Sequence, residues 1–314
     1  MAPQNDNAII QLHKATKLFD KKPAVSAVSF DVSPGQIFGL IGPSGSGKTT
    51  IIHMMVGVSV PTYGEIKVFG VPPAKFSTRD RERIGYMAQE FFLYPTLTAW
   101  ENLSHVAGLY GIGWLRKRKL IRQALDELEL WGARGKLARD LSGGMARRLQ
   151  LAAALLHSPD LAFVDEPMEG LDPLLRQKVW GILRGIKDQG KTIILTTHNM
   201  NEAEQCDTLA LISEGRLRAV GKPQDLRRRA YGGDMVRLLV ERIEPITYSI
   251  LHKLPGVKQV NIVGGNDIRL IVEDAEALLP TAVEALRRQG IAIASAERYR
   301  PPFDDVFAGL VNSG

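Results

Sequence analysis

The apolar run Ile37-Phe38-Gly39-Leu40-Ile41 passes directly into Gly42-Pro43-Ser44-Gly45-Ser46-Gly47-Lys48-Thr49 and then into Thr50-Ile51-Ile52-His53-Met54-Met55. A strand, a glycine-rich turn and a helix start in that order make a phosphate cradle. The glycines let the backbone curl so that successive N–H groups point inward at phosphate oxygens, which side chains with a Cβ would obstruct. Lys48 is spaced to reach the β- and γ-phosphates, and the Thr49 hydroxyl to ligate Mg²⁺. With every fixed position filled in this context, the plainer reading of a connecting turn falls away. The loop implies a nucleoside triphosphate and leaves open what work it drives.

The 314 residues are 45% hydrophobic and 24% charged, an ordinary globular composition with room for two domains. The start, Met1 to Asn7, has neither a basic segment nor an apolar stretch of signal-peptide type, so no export signal is expected. The single cysteine, Cys206, excludes an internal disulfide and suits a reducing compartment. The longest uncharged stretch, Thr49 to Gly64, contains Gly57 and Pro61 and is already explained as the phosphate-loop helix and its exit, so no membrane span is expected. The net charge of +6 admits anionic neighbours. The basic runs Arg116-Lys117-Arg118-Lys119 and Arg227-Arg228-Arg229 are not interleaved with aromatics, so nucleic acid is not expected. They read as solvated helix faces, with a lipid-facing surface as the alternative.

Periodicity divides the chain. Ala8 to His13, Ala27 to Val32 and Glu65 to Phe69 are short, β-rich and partly alternating, as in a small antiparallel sheet. From Trp100 to His157 the pattern is helical: Leu120, Ala124, Leu125 and Leu128, then Leu149, Ala152, Ala153 and Leu156, recur at three- and four-residue spacing. Between Leu161 and Ile212, strand-like runs alternate with helical ones, as in a parallel α/β core. After Tyr231-Gly232-Gly233-Asp234 a second pattern begins: strand 235–240, helix 246–254, a hairpin over 257–272 turning at Gly264 to Asp267, helix 275–289, strand 291–297, and a helix starting within 301–307. This reads as a small βαββαβ-like domain without a chemical motif.

Two further elements carry chemistry. Leu161-Ala162-Phe163-Val164-Asp165-Glu166-Pro167 is an apolar strand ending in two carboxylates. Asp165 is placed to hold Mg²⁺ through its water shell, and Glu166, expected on the other face of an extended backbone, to polarise a water toward the γ-phosphate. Leu141-Ser142-Gly143-Gly144-Met145 precedes a helix, so backbone N–H groups and the Ser142 hydroxyl make a second anion site.

The phosphate loop, Gln89, Leu-Ser-Gly-Gly at 141–144, Asp165-Glu166, Gly170-Leu171-Asp172 and His198 together resemble the ATP-binding subunits of ABC transporters, over about Ile9 to Leu226. The resemblance implies an α/β P-loop NTPase core with an antiparallel β subdomain and a helical subdomain of about 90–157, spanning 1–230, followed by a small α+β domain at 231–314. It implies that Gln89 senses Mg²⁺ and the γ-phosphate, that Asp172 lies in a loop crossing to the opposite subunit, that His198 holds the γ-phosphate and that Phe19 stacks on adenine. In this family two subunits close head to tail, so Ser142 to Met145 of one complete the phosphate site of the other. Taken singly, Gln89 reads as polar surface, Phe19 as core and His198 as a strand-end histidine; their joint order makes them sites. His13, His53, His105, His157, His252 and Cys206 match no motif and read as structural.

Met145 and Met168 depart from the family's usual Gln and Thr. Met145 replaces an amide by a thioether, and the remaining contacts are expected to tolerate it. Tyr86 to Thr98, Glu101-Asn102-Leu103, Ala107 to Gly111, Leu-Ser-Gly-Gly-Met and Phe303 to Phe307 are similar to the branch containing drug-resistance and lipid exporters. Phe91, Phe92, Tyr94 and Pro95 then form either a groove for a coupling helix of a membrane subunit or buried core of the helical insert. The expectation is an ATPase that binds MgATP, pairs with a second copy or a paralogue, and powers separate membrane permease chains from the cytoplasmic face of the membrane. The alternatives are a soluble ATPase of nucleic-acid, ribosome or assembly machinery and an importer subunit.

Overall fold

A computed structural model describes residues 7–312, with the side chain of residue 312 left aside; the start of the amino-terminal segment read above, residues 1–6, lies outside it. By internal packing the chain divides into two compact units, one up to Gly221 and one from Lys222.

The first unit is built on β3 (Ile37–Ile41), β5 (Ile84–Met87), β6 (Leu161–Asp165), β7 (Thr192–Thr197), β8 (Thr208–Ser213) and β9 (Arg216–Gly221), in the order β5-β6-β7-β3-β8-β9. The first five are parallel, and β9 returns antiparallel beside β8. Every residue of β3, β6 and β7 is buried, as expected for strands covered on both faces. Since β3 lies beside β7 and β7 beside β6, the segments leaving their carboxyl ends emerge at one edge. That edge is where α/β sheets bind ligands.

A second sheet, β1 (Ile10–Phe19), β2 (Lys22–Val32) and β4 (Tyr63–Val68), is antiparallel in the order β2-β1-β4. Its strands run longer than expected because β1 and β2 form one hairpin, turning at Asp20 and Lys21 with φ of 48° and 65°. Ile10, Leu12, Val25 and Val68 share a core with Phe38 and Phe163 of the parallel sheet and with Ile51 and Met54 of α1 (Lys48–Val56).

After α2 (Thr78–Glu82) the expected helical stretch consists of α3 (Ala99–Leu109), α4 (Trp114–Glu127) and α5 (Gly143–Leu155). Thr98 opens α3 with a capping box: its hydroxyl accepts the Glu101 N–H at 3.1 Å, and Glu101 accepts the Thr98 N–H at 2.8 Å. Leu125, Leu128, Leu149, Ala152, Ala153 and Leu156, predicted to line the apolar stripes, are buried. Helix α6 (Pro173–Asp188) connects β6 to β7.

The second unit contains α7 (Pro223–Tyr231), β10 (Asp234–Val240), α8 (Pro245–His252), β11 (Val257–Ile262), β12 (Asp267–Val272), α9 (Ala275–Arg288), β13 (Ile293–Tyr299) and α10 (Phe303–Asn312). The sheet is antiparallel throughout, in the order β11-β12-β10-β13, a split-βαβ arrangement. Val236, Leu238 and Val240 pack with Ile268, Leu270, Leu278 and Leu286 on its helix-covered face. Helix α7 belongs to this unit: Arg227 donates to the Pro301 carbonyl at 3.1 Å and stacks 5.4 Å over Phe303, and Arg228 pairs with Asp234 at 3.1 Å. The run 227–229, read above as a solvated face, is thus partly a structural fastener.

Candidate functional site

The loop after β3 is braced by its own backbone. Ser46 N donates to Pro43 O at 3.1 Å, and Gly215 N donates to Ser46 O at 3.0 Å. A Cβ on Gly42 would stand 2.0 Å from the Ile212 carbonyl, and Gly47, at φ 102°, would place one 2.7 Å from the Ala24 carbonyl. Both glycines are therefore obligatory for the curl. Gly47 is also the N-cap of α1 and supplies no side-chain acceptor, so the first N–H groups of α1 are left for a ligand. Ser44, Gly45, Gly47, Lys48, Thr49, Thr50, Gln89, Glu166 and Ala24 line one pocket of about 190 Å³. Sequence reasoning named all of these but Ala24.

Lys48 is buried, with Nζ donating to Gly42 O at 2.8 Å and Pro43 O at 3.1 Å and lying 3.7 Å from Glu166 Oε1. Burial lowers its pKa from the ordinary lysine value, and the charges of Glu166 and Asp165 oppose that shift.

Asp165 is fully buried at the end of β6. Its Oδ1 accepts the Thr196 hydroxyl, while Oδ2 has no partner among the described residues. A buried carboxylate oxygen without a donor, at the end of the strand whose next residue lines the same pocket as Thr49, offers with the Thr49 hydroxyl a hard, all-oxygen donor set that fits Mg²⁺. Glu166 departs from expectation: its φ of 52° is left-handed rather than extended. Its side chain is therefore aimed by a local kink, not by strand alternation. Oε2 lies 2.9 Å from Nδ1 of His198, which leaves the end of β7. Thr196, which sequence reasoning passed over, also accepts the Glu166 N–H at 2.9 Å. Arg147 was missed as well; it bonds the carbonyls of Gln89 and Glu166. Neither residue belongs to a motif; Thr196 is a polar residue in an apolar strand, while Arg147, with Arg148 and Gln150 close by, carries no such signal.

Other predicted residues lie outside this pocket's lining. Ser142 caps α5, its hydroxyl accepting the Met145 N–H at 3.4 Å, and Ser142 and Gly143 face solvent. Asp172 caps α6 by accepting the Leu175 N–H at 3.0 Å. Phe19 is exposed at the β1–β2 turn, with Lys17 Nζ 5.3 Å above its ring. Phe91, Phe92 and Tyr94 are 41%, 47% and 53% exposed, which removes the buried-core reading for these rings. The segment carrying them is fastened by buried Asn102, whose amide donates to the carbonyls of Tyr94, Leu97 and Thr98 and accepts the Tyr94 N–H.

The ABC transporter family model matches residues 25–169. A Nod factor export ATP-binding protein I of Burkholderia thailandensis is 40% identical over 305 residues, covering 96% of this chain and 97% of that protein. A probable multidrug ABC transporter ATP-binding protein, YbhF, of Escherichia coli is 39% identical over 222 residues, covering 71% of this chain; the match spans 38% of that protein. Among solved structures, an ATP-binding subunit of an ABC transporter superposes with a TM-score of 0.66 at 28% identity, covering 71% of this chain and 93% of that one. A dimeric post-hydrolysis state of an ATP-binding cassette bound to ADP and Pi superposes with a TM-score of 0.63 at 26% identity, covering 68% and 98%. The chain therefore belongs to the ATP-binding subunits of ABC transporters, with an ABC ATPase domain on a P-loop NTPase fold.

Proposed function

We propose that this chain hydrolyses MgATP at a site shared between two subunits and so powers an exporter whose membrane-spanning chains are separate. The observation that carries the proposal is the convergence of Glu166, Lys48 and His198 at the mouth of the phosphate loop, at 3.7 Å and 2.9 Å from the Glu166 carboxylate. Lys48 and the free N–H groups of α1 hold the β- and γ-phosphates. Thr49, Asp165 and Gln89 hold Mg²⁺, which neutralises phosphate charge when bound. Glu166 orients and deprotonates the attacking water, and His198 steadies the γ-phosphate. Phe19, exposed, stacks on adenine.

Ser142, Gly143, Gly144 and Met145 do not line the phosphate-loop pocket of their own chain, which supports their closing over a partner's nucleotide, with Asp172 crossing beside them. Closure then follows from differential binding, since ATP favours the closed pair and ADP does not. The exposed rings of Phe91, Phe92 and Tyr94 beside Gln89 receive a coupling helix from a permease, which holds the protein at the cytoplasmic face of the membrane. Among the described residues no helix is long and apolar enough to cross a membrane. Export is favoured over import by relatives named for multidrug transport and Nod factor export. Glu166→Gln tests the core of the proposal: it retains ATP binding and accumulates closed dimer while turnover falls by about a hundredfold or more. Near-normal hydrolysis removes Glu166 as the base.

A further inference from the structure

Arg147 lies in the second turn of α5, 7% exposed, and sends its whole guanidinium fork into backbone carbonyls. Nε donates to Glu166 O at 3.2 Å; Nη2 donates to Glu166 O at 2.8 Å and to Asp165 O. Nη1 donates to Ala88 O at 3.1 Å and Gln89 O at 2.8 Å. One planar group thus bridges the segments that leave two neighbouring parallel strands, β5 and β6. Three residues on, Gln150 adds a second anchor from the same helix, its amide donating to Glu90 O at 2.7 Å.

We infer that Arg147 is a positioning residue, which sets the distance between Gln89 and Glu166 and ties both to the helix that starts at Ser142. Docking of a second subunit on the start of α5 is then felt directly at the hydrolytic carboxylate and at the glutamine beside the exposed rings. Two observations favour this over a merely space-filling arginine. Of the four carbonyls it grips, two belong to Gln89 and Glu166, which line the phosphate-loop pocket, and the other two to the residues directly before them. The kink at Glu166, φ 52°, is held by Arg147 on the carbonyl side and by Thr196 on the N–H side, so the strained residue is fixed from both ends. A lysine offers three donors on a point charge and cannot span both segments. The inference rests on Glu166 as base and Gln89 as γ-phosphate sensor.

The test uses the full chain carrying Arg147→Lys, Gln89→Ala, both together, and Glu166→Gln. Affinity for a fluorescent ATP analogue, kcat and KM for ATP, and thermal midpoint are measured for each. Arg147→Lys is expected to keep nucleotide affinity within about threefold while kcat falls about tenfold to a hundredfold. Adding Gln89→Ala to it is expected to cost little more, because one acts through the other. Nucleotide affinity that falls in step with turnover, or effects of Arg147→Lys and Gln89→Ala that multiply, overturns the inference. Should Glu166→Gln retain turnover, the assignment of the base fails by itself, and the Arg147–Gln89 cycle still decides the positioning role.

Discussion

Thr196 accepts the backbone N–H of Glu166 at 2.9 Å. The same hydroxyl donates to Oδ1 of Asp165, so one side chain from β7 holds the Asp165 carboxylate and the backbone of Glu166 just after β6. Thr196→Val preserves shape and removes both bonds, leaving a buried N–H and a buried carboxylate oxygen without partners. The expected loss is about 1–3 kcal/mol of stability, seen as a lower denaturant midpoint at unchanged slope. Because the kink at Glu166 loses a support, kcat falls more than ATP affinity. A variant as stable and active as the parent would show that the hydroxyl is dispensable.

Lys48 is buried against the carbonyls of Gly42 and Pro43 and near Glu166, so its charge is already desolvated where phosphate arrives. Lys48→Ala removes that charge and is expected to weaken ATP binding at least tenfold in equilibrium titration. Unchanged ATP affinity would contradict the assignment of the phosphate loop.

The parts of this site that were legible before any coordinates were those in which residue type and position do one job together. Glycines 42 and 47 are needed for a curl that any Cβ would block, and Lys48 and Thr49 follow at fixed spacing. The β6 strand was legible as an unbroken apolar run ending in acid. Thr196 and Arg147 were not legible, because their work depends on register between strands 30 residues apart and on a helix packed across them. Strands β5 and β9 were missed for related reasons. The first has four residues, and the second carries Arg216 and Arg218 beside a partner reached only through the turn at Glu214 and Gly215. The kink at Glu166 was likewise invisible, since nothing in Asp-Glu-Pro distinguishes a left-handed glutamate from an extended one.

Asn102 is 1% exposed and forms four bonds to the segment Tyr94–Thr98. Asn102→Ala takes the acceptor from the Tyr94 N–H and removes the amide that ties together three carbonyls, each of which keeps a backbone donor, and is expected to lower stability by about 1–3 kcal/mol. The exposed rings at 91, 92 and 94 lose their fixed placement, so limited proteolysis at 91–98 accelerates while ATP affinity stays near the parent value. Protection equal to the parent would remove Asn102 as the fastener.

Burial raises the pKa of the Glu202 carboxyl from its ordinary 4.5, with the Glu166 charge acting in the same direction and the Thr197 and Asn199 hydrogen bonds and the Arg176 charge acting against it. In the unfolded chain Glu202 ionises near its ordinary value, so between that value and the raised one the folded protein binds the extra proton. Stability from this group is therefore full on the acid side and is lost as pH rises through the folded value. Glu202→Gln cannot ionise. Its thermal midpoint relative to the parent should climb as pH rises above the ordinary carboxyl value of 4.5 and level off once the folded carboxyl is ionised. A difference that does not change with pH would show that the buried carboxyl titrates as it does in solvent.

By internal packing the carboxyl-terminal unit begins at Lys222. The composition change at Tyr231-Gly232-Gly233 points to a start at 231, yet α7 sends Arg227 to the Pro301 carbonyl and over the Phe303 ring, while Arg228 reaches Asp234 and the Glu273 carbonyl at 2.8 Å. Leu226 of the same helix is buried. A glycine pair marks the end of a helix whether or not a domain ends there, so the turn at Gly232 carries no information about which side α7 packs on. A fragment of residues 222–314 should therefore unfold in one cooperative transition. A fragment of 232–314 exposes the face of α10 that meets α7, loses the Arg227 and Arg228 contacts, and should melt lower or associate. Equal midpoints for the two fragments would place the boundary at the glycine pair instead.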